Sequence, residues 1–248
     1  MTTKTAFILC GALAREVIAI AHRHSWDAAL HGVSAVEHMR PVRIGPLVER
    51  KLRELIPTVE RVVVVYGDCG TGGALDAVLQ AYNVPRITGP HCYEMYGGAT
   101  HDALMAEQPG TFFLTDFLLR GFEGMVWKGL GLDRFPELRE QYFGNYTRLV
   151  YLVQTQNDDL MRRAHAISEK LNLPLEVRHT GYGELETRLV NLMAEINDEK
   201  YRPVMSKEII FDDELPNFVL ARNSGAGARR RQTRPRERAT RPAIPGSD

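Results

Sequence analysis

Cys10, Cys69 and Cys92 are the only cysteines in the chain, and each sits in a turn that follows an apolar run. Their settings read Leu9-Cys10-Gly11, Tyr66-Gly67-Asp68-Cys69-Gly70-Thr71-Gly72-Gly73 and Gly89-Pro90-His91-Cys92-Tyr93-Glu94. Thiolates are the donors that soft metals select. Three of them could hold Zn²⁺, with a fourth position open or filled by His91 or Glu94, or an iron–sulfur cluster with one open iron. The sequence has no C-x-x-C, so such a site would be assembled from distant strand ends rather than from one local finger. Cys10 and Cys69 are expected at or just before helix N-termini, where the dipole favours a thiolate. Two other fates stay open. The cysteines could be small buried hydrophobes. Alternatively, one could be a nucleophile with His101 or His179 as its base, because His91 adjoins Cys92 and should point away from it.

Four residues near these turns are candidates for proton transfer: Glu94, His101, Asp116 and Tyr66. Each also has a plain structural reading as a cap, a surface charge or a core hydroxyl; Asp116 could simply cap the helix that follows it. The glycine turn offers a second function. Gly67, Gly70, Gly72 and Gly73 permit close backbone approach to a ligand, and Thr71 is a plausible N-cap for the helix behind them, where an anion would be favoured. The Walker pattern fails, because no Lys-Ser or Lys-Thr follows. The dinucleotide fingerprint fails as well, because Leu75 occupies its third glycine position. His22 and His24 are two apart on a helix and splay to different faces.

The elements that must position these residues alternate. Apolar runs over 5–10, 28–33, 61–66, 84–88, 111–115, 148–154 and 174–179 read as strands. Amphipathic segments between them read as helices, including one to about His24, one over 47–56 and one capped by Asn157. The strands are continuous apolar runs, as expected where both faces are covered. The fold class is therefore α/β, with a mainly parallel, doubly wound sheet (Rossmann-like or flavodoxin-like) and helices on both faces. Ligands of such folds bind beyond the carboxyl ends of the strands. That rule would bring Cys10, Cys69, Cys92, Thr115-Asp116, Gln154-Thr155 and His179-Thr180 to one rim.

Of the 248 residues, 44% are hydrophobic and 25% charged, an ordinary globular balance. No apolar run approaches the roughly 20 residues of a membrane span. The first apolar run is too short for a signal-peptide core, so the expected location is cytoplasmic, where free thiols or metal ligands are favoured over disulfides. The charge is uneven. Residues 222–248 carry eight Arg against Glu237 and Asp248, or +6, so residues 1–221 carry −6 of the net zero. Three parts are expected: an α/β domain over 1–198, a poorly patterned arm over 199–221 and a disordered basic tail over 222–248. The acidic body argues against nucleic-acid binding.

The stretches Leu9-Cys10-Gly11-Ala12-Leu13, Tyr66-Gly67-Asp68-Cys69-Gly70, His91-Cys92-Tyr93-Glu94-Met95, 109–117 and 154–160 resemble the bacterial and archaeal domain-of-unknown-function family 1638, over about residues 4–198. The resemblance implies no settled activity. It implies an association with corrinoid-dependent methyl transfer, and hence corrinoid or methyltransferase proteins as partners, either for an enzyme or for a non-enzymatic accessory protein. The combined expectation leans to an enzyme of one-carbon metabolism acting on a small molecule, with a Zn or iron–sulfur site on the three cysteines.

Overall fold

A computed structural model describes residues 5–196, 201–205, 209–211 and 218–220 of the chain. The first sheet is formed by β1 (Thr5–Cys10), β2 (Ala28–Val33) and β3 (Arg61–Val65) in the order β2-β1-β3, all parallel. The second is formed by β4 (Thr111–Thr115), β5 (Arg148–Val153) and β6 (Leu175–His179) in the order β4-β5-β6, again all parallel. The α/β class is as the sequence predicts, but the parallel sheet is divided into two. The predicted strand over 84–88 is reduced to a single bridge, Val64 to Arg86. Pro85 lies inside that run and has no N–H to give a ladder, so the edge of the first sheet stops there.

Helices α1 (Ala14–Arg23), α2 (Ile44–Leu55) and α3 (Ala74–Tyr82) belong to the first half, and α4 (Cys92–Gly97) and α5 (Ala99–Glu107) cross to the second. There α6 (Asp116–Phe122), α7 (Leu138–Phe143), α8 (Asp158–Leu171) and α9 (Glu184–Glu195) follow. The helix expected after Asp116 is α-helical only to Phe122 and continues as a π-helix over Glu123–Lys128. The segment 35–43, between β2 and α2, is two short 3₁₀ turns.

β5 shows how the two halves are joined. Val150 and Leu152 belong to the core that also contains Phe7, Val64 and Leu75 of the first half. Leu149, Tyr151 and Val153 face a second core with Leu160, Ala164 and Ile167 of α8. Alternation along one strand therefore fills two cores, which is why the run is apolar from Leu149 to Val153. α4 lies at the seam. Glu94 in α4 takes a two-pronged ion pair from Arg188 of α9, at 2.7 and 2.5 Å. Gly183 passes so close that a Cβ there would lie 2.1 Å from the Tyr96 carbonyl oxygen.

In the C-terminal arm, β7 (Ile209–Phe211) and β8 (Phe218–Leu220) pair antiparallel. Val204 donates its N–H to the Tyr82 carbonyl at 2.9 Å, tying this arm to the end of α3. The predicted basic tail over 222–248 lies outside the described residues. No helix among the described residues is long and apolar enough to cross a membrane.

Candidate functional site

The turn after β3 and the turn before α4 meet through the main chain. Asp68 N–H donates to the Gly89 carbonyl at 3.3 Å, and Cys69 N–H donates to the Pro90 carbonyl at 2.8 Å. Gly67 makes that approach possible: a Cβ on it would lie 2.9 Å from both His91 Cα and the Pro90 oxygen. The turn bearing Cys69 is thereby clamped to the turn bearing Cys92. Cys69 itself is held at φ +51°, a left-handed conformation that costs a non-glycine residue energy and is found preferentially at functional sites.

The three thiols share one neighbourhood. Burial pushes the Cys69 thiol up to about 12, with further upward contributions from Cys10 and Asp68. Burial raises Cys92 well above the ordinary thiol range, and charge on Cys10 or Cys69 would raise it further. Burial also raises Cys10, against partial relief from the Ala12 N–H that donates to its sulfur at 3.4 Å. The expectation of dipole-stabilised thiolates fails here. Cys10 precedes only a 3₁₀ turn, α3 begins at Ala74, and desolvation outweighs the remaining hydrogen bonds.

The sequence reading missed His38. Its Nδ1 faces the Ala35 carbonyl at 2.8 Å, and a carbonyl can only accept, so Nδ1 carries the proton. In the neutral ring Nε2 is then the accepting nitrogen, 4.0 Å from Cys10 Sγ. The ring stacks on Tyr66 at 5.7 Å between centroids. The only sequence signal is Ser34, which caps the 3₁₀ turn that carries His38. Tyr66 is fully buried, and its hydroxyl has no nitrogen or oxygen partner among the described residues. The group it faces is the Cys10 thiol, and burial raises the phenol strongly. Tyr66 is thus not a ready proton donor but an orphan hydrogen-bonding group inside the thiol cluster.

His91 is placed differently from expectation. Its Nδ1 accepts the N–H of Glu94 at 3.3 Å and caps α4. A metal bound through Nε2 would require a proton on Nδ1, which the Glu94 N–H already faces, so capping and ligation compete. Burial, and then the neighbouring His101, lower its pKa. Among the described residues no group of three or more His, Cys, Asp or Glu side chains is arranged to hold a metal ion. The thiols are gathered, but in this conformation they are not closed into a ligand cage.

The acid–base candidates resolve into structural roles. Glu94 is neutralised by Arg188. His101 is 7% exposed, packs on Phe113 at 4.8 Å between centroids and pairs with Asp102 at 3.0 Å. Asp116 is fully buried and accepts hydrogen bonds from Tyr151 Oη at 2.8 Å, Gln154 N–H at 3.1 Å, and Thr155 N–H and Oγ1 at 3.1 and 2.5 Å. The cap of α6 is Thr115, not Asp116. His179 is exposed and does not line the cavity described below. Glu16, on the helix side that reads as polar, is only 4% exposed, and burial raises its carboxyl.

The glycine turn does not form an open anion cradle. Asp68 folds back into it, accepting from Gly70 N–H at 3.2 Å, Gly73 N–H at 3.1 Å and Thr71 Oγ1 at 2.6 Å. The amides a phosphate would need are already engaged by this carboxylate. Burial alone would raise its pKa, but the hydrogen bonds from Thr71, Gly73, Gly72 and Gly70 outweigh that and hold it low. Gly73, at φ +88°, is the N-cap of α3 instead of Thr71.

A cavity of about 920 Å³ opens onto the cluster. Cys69, Cys92, His91 and His38 line it on one side, and Phe117, Leu118 and Met125 on the other. Each half of the fold therefore supplies one wall.

A family model described as a protein of unknown function, DUF1638, matches residues 34–189, and the chain belongs to that family. No curated protein matches. Among solved structures, ornithine carbamoyltransferase from Pyrococcus furiosus aligns at 13% identity and a TM-score of 0.25, covering 71% of this chain and 54% of that one. The chain thus spans about half the length of that protein.

Proposed function

We propose that this protein is a cytoplasmic, cysteine-ligated metalloenzyme acting on a small molecule at the rim cavity. Cys10, Cys69 and Cys92 would supply three thiolates to Zn²⁺ or an iron–sulfur cluster, and His38 a fourth donor. The observation that carries this reading is the clustering of the chain's only three cysteines, with Cys69 and Cys92 on the cavity lining and Cys10 buried against His38, which also lines it. Two features support the fit. The orphan Tyr66 hydroxyl is a donor waiting for a charged acceptor such as a ligating thiolate. His38, with Nδ1 on a carbonyl and Nε2 toward Cys10, has the hydrogen-bonding state of a ligating histidine. A bound metal would supply Lewis-acid activation of a thiol, water or substrate oxygen.

The chain's own residues then have definite tasks. The main-chain clamp holds Cys69 beside Cys92, and Tyr66 stabilises negative charge on Cys10. The apolar opposite wall excludes water. Closure of the ligand set requires side-chain rotation of the thiols, at the expense of their protons, which burial holds on so strongly. The family's association with corrinoid-dependent methyl transfer is compatible with such a site, and the methyl-transfer role stays part of the proposal.

The test is metal analysis of protein purified without oxygen. About one Zn or one cluster per chain is expected, falling in each of Cys10→Ser, Cys69→Ser and Cys92→Ser; less than about 0.1 metal per chain in the parent protein would sink the reading. The 4.0 Å approach of Cys10 to His38 favours a second reading, a thiol nucleophile with His38 as its base. That reading requires Cys10→Ser alone to abolish activity while Cys69→Ser and Cys92→Ser retain it.

A further inference from the structure

The cavity above the thiols has a chemical character of its own. Its volume, about 920 Å³, lies near the upper end of the range for drug-sized ligands and far exceeds what a one-carbon fragment needs. Much of its lining away from the thiols is apolar: Val36, Met39, Phe112, Phe117 and Met125 belong to it. A second hollow of about 200 Å³ shares Met39, Phe112, Met125 and Val126 with it, so two flexible methionines stand between the chambers.

The charges at this cavity have an uneven sign. Arg40, Arg43 and Glu37 line it, and Glu37 is the only acidic residue among the lining side chains. Arg43 takes Glu37 at 3.5 Å. Arg40 has no acidic partner among the described residues. A net positive charge thus stands at the cavity of a body whose residues 1–221 carry −6. An unpaired guanidinium beside an apolar vault is what recognition of an anionic group on an apolar body requires.

We infer that the cavity binds an amphiphilic anion, a carboxylate carried on an extended apolar body, with the carboxylate at Arg40 and the apolar body against Met39, Phe112 and Met125. This deepens the reading of the thiol rim as a reaction centre and rests on it for the placement of the reacting end beside Cys69 and Cys92. Met39 and Met125 let the apolar end extend into the smaller hollow, so chain length beyond the first chamber is accommodated.

The experiment uses the full chain and a fluorescent aryl sulfonate, 8-anilinonaphthalene-1-sulfonate, displaced by octanoate or by 1-octanol. Octanoate is expected to displace the probe about tenfold more effectively than octanol, the worth of one charge-assisted contact. Arg40→Gln should erase that difference without changing octanol displacement. Met125→Trp, which fills the vault, should reduce displacement by both. Equal displacement by octanoate and octanol in the parent protein overturns the inference, as does an octanoate preference that survives Arg40→Gln. The Cys10→Ser, Cys69→Ser, Cys92→Ser triple variant separates this from the metal reading. Octanoate preference retained in a parent protein that holds no metal sinks only the metal reading; metal present with no octanoate preference sinks only this one.

Discussion

Cys10 Sγ, buried, and Nε2 of His38, which lines the rim cavity, stand 4.0 Å apart, and the other ring nitrogen of His38 is fixed by the Ala35 carbonyl at 2.8 Å. His91, nearer to a cysteine in sequence, spends its accepting nitrogen on the N-terminus of α4. The two histidines should therefore answer differently to replacement. His38→Ala is expected to weaken metal retention about 10- to 100-fold, as loss of a ligand or its immediate support does. His91→Ala should leave metal content unchanged and cost about 1 kcal/mol of stability, as loss of an N-cap does. Metal analysis and thermal melting on the same two samples check both halves.

The thiols make the metal-free protein sensitive to alkali. An ordinary thiol near 9.0 and a folded-state value of about 12 for Cys69 mean that the native state disfavours the thiolate. The linked stability is fully present below the unfolded value and is lost as pH rises from about 9 toward 12. Thermal melts of metal-free protein across that window should show a falling midpoint, and Cys69→Ala should flatten the slope. Alkylation of Cys69 should likewise keep accelerating above pH 9 rather than reach a plateau there.

Asp116 is the most heavily engaged carboxylate of the rim, yet its work is structural. It ties the start of α6 to the end of β5 through Tyr151, Gln154 and Thr155. Asp116→Ala leaves those buried donors unpaired and should cost about 3–5 kcal/mol, read as a lower denaturation midpoint in urea. Metal content per folded chain should not change.

Gly67 tests the clamp between the cysteine turns. Gly67→Ala places a methyl group 2.9 Å from His91 Cα and the Pro90 oxygen, both backbone atoms that cannot swing aside. The turns must separate, with an expected loss of about 2 kcal/mol and a drop in metal content. A full-strength site in a stable Gly67→Ala protein would show that the spacing of these turns does not matter.

The glycine turn should not respond to inorganic phosphate, because Asp68 already occupies its amides. Addition of phosphate is expected to leave the melting temperature unchanged. Asp68→Ala should lower stability by about 1–2 kcal/mol near neutral pH. Because hydrogen bonds hold the Asp68 carboxylate below its ordinary value of 3.8, its contribution is present above that value and lost as pH falls beneath it.

The fold was legible from apolar runs because strands β1, β3 and β5 are buried on both faces and announce themselves without alternation, while the half-exposed edge strands β2 and β6 carry weaker patterns. The run over 84–88 misled because Pro85 sits in an otherwise apolar strand pattern, and pairing is decided by the missing N–H. The placement of Cys10 at the end of β1 and of Cys69 in the turn after β3 was legible from the apolar runs before them, whereas the strand expected before Cys92 is only a bridge. The protonation of the thiols was not legible, because it depends on how deeply the turns are buried, which spacing does not encode. His38 was invisible for a different reason. It lies in a segment with no strand or helix period, and it reaches Cys10 only because a 3₁₀ turn folds that segment over the rim. Glu94 and Asp116 looked like free acids because their partners, Arg188 and Thr155, are far away in sequence.

The clamp between the Cys69 and Cys92 turns is made of main-chain atoms, Asp68 N to Gly89 O and Cys69 N to Pro90 O, with a glycine at the point of contact. Nothing in it depends on sulfur. The side chains at 69 and 92 can be exchanged while the frame that spaces them stays intact, so this rim is a socket whose fittings are interchangeable. Relatives that keep the glycine and lose the thiols would then retain the same spacing of turns around a different set of side chains.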